Sequence, residues 1–177
     1  PILHNILGAI SFEKGNKEEA VNHFQKVIEM QPNHPHAYNN LGATLIDVGN
    51  YKEAQANLEK AVELKPNYAE AYNNLGNVYK ELREYDQAII QYKKAIELNP
   101  NYFEAMNNLG VTLGKNNQYE DAESILKKVI TAIPKLPDSY NNLGNLYFDI
   151  KDYKLAQSEY QKAIKLNPNY FEASNNL

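Results

Sequence analysis

A pattern of residue types returns every 34 residues along the whole chain. Three columns of small or helix-ending residues mark it: Gly8, Gly42, Gly76, Gly110 and Gly144; Pro32, Pro66, Pro100, Pro134 and Pro168; Ala20, Ala54, Ala88, Ala122 and Ala156. A fixed period between 20 and 50 residues is typical of stacked repeat proteins, because each repeat can bury its apolar face only against its neighbours. The period therefore predicts a stack of repeats whose function is to bind along an extended surface.

Each repeat predicts two amphipathic helices joined by a short polar break. In residues 69–102 the apolar positions recur at spacings of three and four, the period of a helix face. They are Ala71, Tyr72, Leu75, Gly76 and Tyr79 in the first helix and Ala88, Ile89, Tyr92, Ala95, Ile96 and Leu98 in the second. Gly15 and Gly49 follow first helices, where a left-handed residue closes a helix end. The column proline ends the second helix, because it forces the preceding residue out of the helical region.

The glycine and alanine columns predict close packing between the two helices of a repeat. Small residues let the helices approach, and large residues fill the adjoining space. The large residues are Phe24, Leu58, Tyr92, Leu126 and Tyr160. The 14 tyrosines fall at the same few positions of the period, which favours packing roles over the alternative of a tyrosine-lined ligand pocket.

These residues resemble the tetratricopeptide repeat, whose pattern is aromatic-x2-Leu-Gly-x2-Tyr, then Ala, an aromatic residue, Ala and Pro. One copy matches every slot, with Tyr72, Leu75, Gly76, Tyr79, Ala88, Tyr92, Ala95 and Pro100. The resemblance implies an all-α, right-handed superhelical solenoid of antiparallel helix pairs. Its five repeats are expected at residues 1–34, 35–68, 69–102, 103–136 and 137–170, with 171–177 opening a sixth, all in one solenoid domain. Position numbers below count from the first residue of each repeat.

The first helices of such a stack line a concave groove, and their positions 2, 5, 9 and 12 are expected to face it, with positions 6 and 13 beside them. Asparagine dominates three of these columns: Asn5, Asn39, Asn73, Asn107, Asn141 and Asn175 at position 5; Asn40, Asn74, Asn108, Asn142 and Asn176 at position 6; Asn77 and Asn145 at position 9. Asparagine is a poor helix former, but its amide can bond a peptide backbone whatever the side chains of that peptide. The columns predict a ladder that holds an extended peptide. The alternative is that one column bonds the neighbouring repeat and stabilises the stack.

The wording Tyr-Asn-Asn-Leu-Gly-Asn is similar to the tetratricopeptide region of O-linked N-acetylglucosamine transferases and related bacterial multidomain proteins. In that family an asparagine ladder at position 6 holds the backbone of the substrate. Carried over by column, the resemblance implies this role for Asn40, Asn74, Asn108, Asn142 and Asn176. Ile6 departs from the pattern, so the ladder is expected to begin at the second repeat.

The predicted groove is acidic. Position 2 carries Glu70, Glu104, Asp138 and Glu172, and position 13 carries Glu13, Asp47, Glu81 and Asp149. A wall of one sign attracts the opposite charge, so we expect a neutral to basic protein or extended peptide as the partner; the alternative is a solvated helix face. Co-chaperone members of the resembled family hold acidic tails with Lys and Arg at positions 2, 5 and 6. None of these positions is Lys or Arg here, which argues against an acidic-tail clamp.

Other functional classes find little support. The formal net charge is −4 without a basic stripe, which argues against nucleic acid. No apolar run approaches the ~20 residues of a membrane span and no signal peptide is seen, so the cytoplasm is the default location. His34 and His36 lie in a proline-bounded turn without a third ligand, so no metal site is predicted. No catalytic or cofactor motif is present. We expect a catalytically inert chain to which a catalytic domain is attached only in a longer protein, if at all.

The sequence opens at Pro1 and stops inside the first helix of a sixth copy. We expect a fragment of a longer array, whose uncapped ends expose apolar surface and favour self-association. The predicted function is the substrate- or partner-recruiting arm of a larger protein; the alternative is a structural module that stacks with copies of itself. Gly114, inside a first helix, predicts either a hinge or a place in the groove where a backbone must approach closely.

Overall fold

The computed structural model describes residues 1–176, and Leu177 lies outside the described residues. Over this range the chain forms eleven α-helices and no strand. They are α1 (Ile2–Glu13), α2 (Lys17–Met30), α3 (Pro35–Asp47), α4 (Tyr51–Leu64), α5 (Ala69–Glu81), α6 (Tyr85–Leu98), α7 (Phe103–Lys115), α8 (Tyr119–Ala132), α9 (Pro137–Asp149), α10 (Tyr153–Leu166) and α11 (Phe171–Asn176). The predicted all-α architecture of successive helix pairs is confirmed.

The helices group into two compact units, Pro1–Pro100 with α1 to α6 and Asn101–Leu177 with α7 to α11. In the first unit each first helix packs against the second helix that follows it, and that second helix packs against the next first helix. In addition α3 contacts α5, so consecutive first helices lie side by side. The second unit has the same order, and α7 contacts α9 there. Within each unit, neighbouring first helices therefore form a shared surface.

The glycine column lies where the two helices of a repeat come closest. A Cβ atom built on Gly42 would lie 2.5 Å from Cγ of Leu58, and one on Gly76 would lie 2.6 Å from Cε1 of Tyr92. Atoms cannot approach so closely without a shift of the packed side chain, and glycine avoids that shift because it has no Cβ. The other three column glycines meet their large partners in the same way. The predicted small-against-large packing is confirmed.

Position 15, just after each first helix, is left-handed in all five repeats. Gly15 and Gly49 have φ angles of 80° and 77°, as predicted for glycines that close a helix. In the later repeats the position holds residues with side chains: Arg83, Asn117 and Lys151, with φ angles of 62°, 61° and 65°. Residues other than glycine adopt this conformation at a cost of about 1–2 kcal/mol. The stack thus sets the geometry of the turn: Gly15, Gly49 and Asn117 are residue types that suit it, and Arg83 and Lys151 are not.

Helix α7 passes through Gly114 without interruption. Gly114 is buried, and a Cβ atom built on it would lie 3.0 Å from Cδ1 of Leu146 in α9. This separation is tighter than an ordinary van der Waals contact. The close neighbour is thus a side chain of the next first helix, so packing within the second unit accounts for this glycine, and the two interpretations from the sequence stay predictions.

Candidate functional site

The position-5 asparagines lie between successive first helices. Asn39 and Asn73 are 0% exposed and Asn141 is 3% exposed, while Asn107 is half-buried. The Nδ2 group of Asn39 donates to Oε1 of Glu70 in the next repeat at 3.0 Å. Buried amides need such partners, because an unsatisfied one costs roughly 1–3 kcal/mol.

A second bond completes the tie between the second and third repeats. The Nδ2 group of Asn74, at position 6, donates to Oδ1 of Asn39 at 3.0 Å. A weaker counterpart occurs in the second unit, where Nδ2 of Asn176 lies 3.5 Å from Oδ1 of Asn141 and donates to the nearer Oδ1 of Asn145 at 3.1 Å. The position-5 column therefore bonds repeat to repeat, as the stacking interpretation expects. Contact between this column and a peptide stays a prediction.

The fourth repeat uses a different partner for its position-5 residue. Asn107 exchanges hydrogen bonds with the hydroxyl of Ser139, whose Oγ lies 3.1 Å from Nδ2 and 3.2 Å from Oδ1 of Asn107. Position 3 is alanine in the neighbouring repeats, so only Ser139 offers a hydroxyl there. Because Ser139 satisfies Asn107, Asn107 makes no bond with Asn142, the position-6 residue of the fifth repeat.

The position-6 asparagines are more accessible than their neighbours at position 5. Those of the second to fifth repeats are all half-buried: Asn40, Asn74, Asn108 and Asn142. Within residues 1–176, Asn142 makes no side-chain hydrogen bond, and Asn40 only accepts a long one, from Nδ2 of Asn39 at 3.5 Å. These amides can still bond a guest.

The two position-9 asparagines are oriented by tyrosines of the same repeat. The hydroxyl of Tyr92 donates to Oδ1 of Asn77 at 2.7 Å, and that of Tyr160 donates to Oδ1 of Asn145 at 2.9 Å. The amide oxygens are thereby occupied, and the Nδ2 groups are the atoms of these side chains that are left to donate. Both asparagines are half-buried on the first-helix surface.

The predicted acids of position 2, Glu70, Glu104 and Asp138, are all exposed. Asn39 holds Glu70 as described above. Asp138 accepts a hydrogen bond of 2.7 Å from the hydroxyl of Tyr170, and burial together with this carboxylate raises the pKa of Tyr170. The carboxylates of Glu70 and Asp138 are therefore fixed in place on the first-helix surface.

A cavity of about 230 Å³ opens on the first-helix surface of the first unit. It is lined by Ala9, Phe12, Glu13, Phe24, Asn40, Ala43, Thr44 and Glu70. The lining combines two aromatic rings, two carboxylates and a position-6 amide. We call it the unit 1 cavity.

A smaller cavity of about 100 Å³ occupies the equivalent place in the second unit. It is lined by Gly110, Val111, Gly114, Lys115, Leu126, Asn142, Asn145, Leu146 and Asp149. We call it the unit 2 cavity. It brings together Asn142 and Asn145, which the sequence assigned to one site, and adds Lys115, which the sequence analysis missed. A comparison of position 13 across the five repeats would have found it, because the other four residues there are acidic.

The histidines do not form a metal centre. Within residues 1–176, no group of three or more His, Cys, Asp or Glu side chains is placed to hold a metal ion. Nδ1 of His34 accepts from the backbone N–H of Ala37 at the start of α3, and Nδ1 of His36 lies 2.9 Å from the hydroxyl of Tyr68. Burial, with nearby Lys65 adding to it, lowers the pKa of His36.

None of the described helices has the length and apolar character needed to cross a membrane.

Comparison with known proteins identifies the repeat. Models of the tetratricopeptide repeat match residues 1–67 and 34–101, and further models of the same repeat match 91–124 and 137–170. The chain belongs to the tetratricopeptide repeat family. The fold is accordingly that of a tetratricopeptide repeat (TPR) solenoid, a protein-interaction scaffold. A comparison with curated proteins finds no match.

Solved TPR structures resemble the chain over nearly its full length. A crystal structure of MamA is 27% identical with a TM-score of 0.79, and covers 94% of this chain and 97% of its own. YrrB, described as a TPR protein with an unusual peptide-binding site, is 24% identical with a TM-score of 0.75, covering 97% and 89%. TTC0263, a thermophilic TPR protein from Thermus thermophilus, is 23% identical with a TM-score of 0.82, covering 97% and 94%. The last two likenesses concern the fold alone.

Proposed function

We propose that this TPR protein holds an extended, neutral to basic peptide segment of a partner protein against the first helices of its units, through the position-6 asparagines. The observation that carries the proposal is the unspent hydrogen-bonding capacity of two of these amides, those of Asn40 and Asn142. Asn142 lines the unit 2 cavity without a side-chain hydrogen bond within residues 1–176, and Asn40 lines the unit 1 cavity.

An amide side chain suits a peptide backbone because it carries both a donor and an acceptor. Each can pair with a carbonyl or an N–H of the peptide backbone, and such pairing does not depend on the side chains of the guest. Hydrogen bonds of this kind contribute about 0.5–1.5 kcal/mol each, so several are needed for useful affinity. Successive repeats supply them at a regular spacing.

The other predicted residues have supporting roles in this proposal. The position-5 asparagines keep neighbouring repeats in register, and Asn77 and Asn145 present their Nδ2 groups beside the ladder. The exposed carboxylates Glu70, Glu104 and Asp138 favour a neutral or basic guest. In a longer protein, the solenoid would act as the arm that recruits a partner or substrate to an attached domain, for which a glycosyltransferase-type catalytic domain is our candidate.

The test uses peptides selected on the wild-type protein from a random displayed library. We expect Asn142→Ala to weaken the selected peptides that contact the second unit by roughly tenfold, the value of about 1.4 kcal/mol in lost hydrogen bonds. The matched control is Asn57→Ala, because Asn57 lies on second helix α4 and donates to the backbone of its own helix. Isothermal titration calorimetry gives the affinities, and circular dichroism confirms that both variants fold.

A second measurement separates backbone recognition from side-chain recognition. Replacing one peptide amide by an ester removes a backbone N–H donor and leaves every side chain unchanged. We expect one such ester to weaken binding to the wild-type protein and to have a much smaller effect on Asn142→Ala. If Asn142→Ala and Asn57→Ala bind the selected peptides as well as the wild type does, the asparagine ladder has no part in binding.

A second candidate function is self-assembly, which one surface favours. Helix α1 exposes Ile2, Leu3 and Ile6 by 79%, 65% and 51%. Large apolar side chains that are exposed together on one helix are typical of an interface. Association that depends on concentration and is abolished by Leu3→Glu in analytical ultracentrifugation would support it. A monomer at all concentrations would reject it.

A further inference from the structure

We propose that the unit 1 cavity is a subsite for one positively charged side chain of the guest, with arginine as the best fit. This inference rests on the proposed function and adds a preference at a defined place. The cavity of about 230 Å³ is lined by Phe12, Glu13, Phe24, Asn40 and Glu70, among others. Carboxylates and aromatic rings are the two kinds of group that attract a guanidinium.

The two carboxylates come from different repeats and are both available to a guest. Glu13 is the last residue of α1 and Glu70 lies in the first turn of α5. Within residues 1–176, neither forms an ion pair with a lysine or arginine of the protein, although other acids of the protein do. A guest cation would therefore not have to displace a cation of the protein itself.

The position of Glu70 is set by the buried asparagine beneath it. Oε1 accepts the 3.0 Å hydrogen bond from Nδ2 of Asn39, and Asn39 is itself held by Asn74. The second oxygen, Oε2, makes no hydrogen bond with the described residues. A carboxylate fixed in this way loses little side-chain freedom when a cation binds.

The apolar part of the cavity suits the stem of a long basic side chain. Phe24 is 2% exposed and packs against Gly8, while Phe12 is 37% exposed at the end of α1. Arginine stacks its planar guanidinium on aromatic rings and buries its methylene stem against apolar surface. A short or purely polar side chain would leave the ring of Phe12 in contact with water.

The unit 2 cavity shows that this chemistry is local to the first unit. Its residues at positions 12 and 13 are Gly114 and Lys115, where the unit 1 cavity has Phe12 and Glu13. The volume is also smaller, at about 100 Å³. A basic side chain would meet Lys115 there beside the single carboxylate of Asp149, whereas the unit 1 cavity has two carboxylates and no lysine, so the subsite for a cation belongs to the unit 1 cavity.

The experiment compares two peptides that differ only in charge. The probes are acetyl-Gly-Ser-Arg-Ser-Gly-amide and the same peptide with citrulline, which has the shape of arginine without the charge. Both are titrated into ¹⁵N-labelled wild-type protein and followed by amide chemical shifts. We expect the arginine peptide to bind about tenfold more tightly at low salt, with shifts centred on the end of α1, on α3 and on the start of α5. The preference should shrink at about 0.5 M salt.

Variants then assign the preference to the cavity. The double variant Glu13→Gln with Glu70→Gln keeps the side-chain shapes, and we expect it to bind both peptides equally. Glu18→Gln is the matched control, because Glu18 is exposed on α2 of the same repeat and outside the cavity. Glu13→Lys introduces the lysine that the unit 2 cavity has at this position and should likewise abolish the preference. Thermal unfolding confirms that each variant is folded.

The outcomes separate this inference from the proposed function. Equal binding of both peptides to the wild-type protein would overturn the cation subsite and leave peptide binding intact. An arginine preference that survives in the double variant would also overturn it, because the charge would then be read elsewhere. If neither peptide binds, the subsite is rejected, while the library selection described above decides separately whether the protein binds peptides at all.

Discussion

The unit 1 and unit 2 cavities occupy the same repeat positions but differ in size and charge. At positions 12 and 13 the first has Phe12 and Glu13, and the second has Gly114 and Lys115. Beneath both, the same column glycine meets a large side chain of the second helix. The comparison teaches that the period fixes the packing frame, whereas the walls of each cavity vary freely from repeat to repeat.

The shared frame can be broken at matched positions. We expect Gly42→Val and Gly110→Val to cost about 3 kcal/mol each, because a Cβ would lie 2.5 Å from Cγ of Leu58 and 2.7 Å from Cγ of Leu126. Urea unfolding followed by circular dichroism measures both. Costs that differ by more than about 1 kcal/mol would show that the two frames are not equivalent.

The repeat-to-repeat ties should differ in strength between the units. Asn39→Ala leaves Glu70 and Asn74 without the partner that they share, so we expect a loss of about 2 kcal/mol. Asn107→Ala should cost only about 1 kcal/mol, because Asn107 is half-buried and the hydroxyl of Ser139 can rotate to another partner. Equal losses in urea unfolding would contradict the distinction between the two ties.

A pair of tyrosines at position 11 offers a comparison that depends on pH. The hydroxyl of Tyr147 donates to Oε1 of Glu123 at 2.6 Å, whereas that of Tyr79 donates to Glu59 at 3.3 Å. We expect Tyr147→Phe to cost about 1 kcal/mol near neutral pH, after allowance for the partial exposure of Glu123, and Tyr79→Phe to cost about half as much.

The pH dependence of the Tyr147→Phe effect has a definite sign. Hydrogen bonds from Lys127 and then Tyr147 lower the pKa of Glu123 in the folded protein. The stabilisation is therefore fully present above the unfolded pKa of about 4.3 and is lost as the pH falls through the lower folded value. Unfolding free energies measured between roughly pH 7 and pH 3 should converge for wild type and Tyr147→Phe. A constant difference across this range would contradict the role of Glu123.

The left-handed turns give the smallest expected effect. Lys151→Gly should stabilise the second unit by about 0.5–1 kcal/mol, because Lys151 has a φ of 65°. The reverse change, Gly49→Lys in the first unit, should cost a similar amount, since no heavy atom lies within 4 Å of a Cβ there and strain is the only penalty. Shifts of thermal midpoint in opposite directions would confirm the pair, and shifts of the same sign would contradict it.

The helices and their packing could be predicted from the sequence because all five repeats place the same residue types where two helices must pack closely. Gly42 or Leu58 alone predicts nothing. As members of repeated columns, they predict that the glycine of the first helix packs against the large residue of the second. Helix ends followed from the prolines and from Gly15. The left-handed turns at Arg83 and Lys151 were not predicted, since these residue types give no signal for that conformation.

The candidate site was predicted less completely. Positions 5 and 6 are neighbours on a helix, so the sequence could show that one column bonds the next repeat but not which one. In the structure both columns take part between the second and third repeats: buried Asn39 bonds Glu70, and half-buried Asn74 bonds Asn39. Ser139 and Lys115 were missed because each departs from its column once. A single departure gains meaning only when the structure shows what it touches.

The bond between Asn74 and Asn39 has a thermodynamic consequence for any ligand that recruits Asn74. One amide must then bond both the adjoining repeat and the guest, and its second N–H and its oxygen decide whether both can be satisfied together. By linkage, any guest that binds only the folded first unit must raise its melting temperature, and a guest that competes for the bond must do so by less, because breaking the bond subtracts from its binding free energy. Ligand binding and the stability of the first unit therefore both depend on the side chain of Asn74.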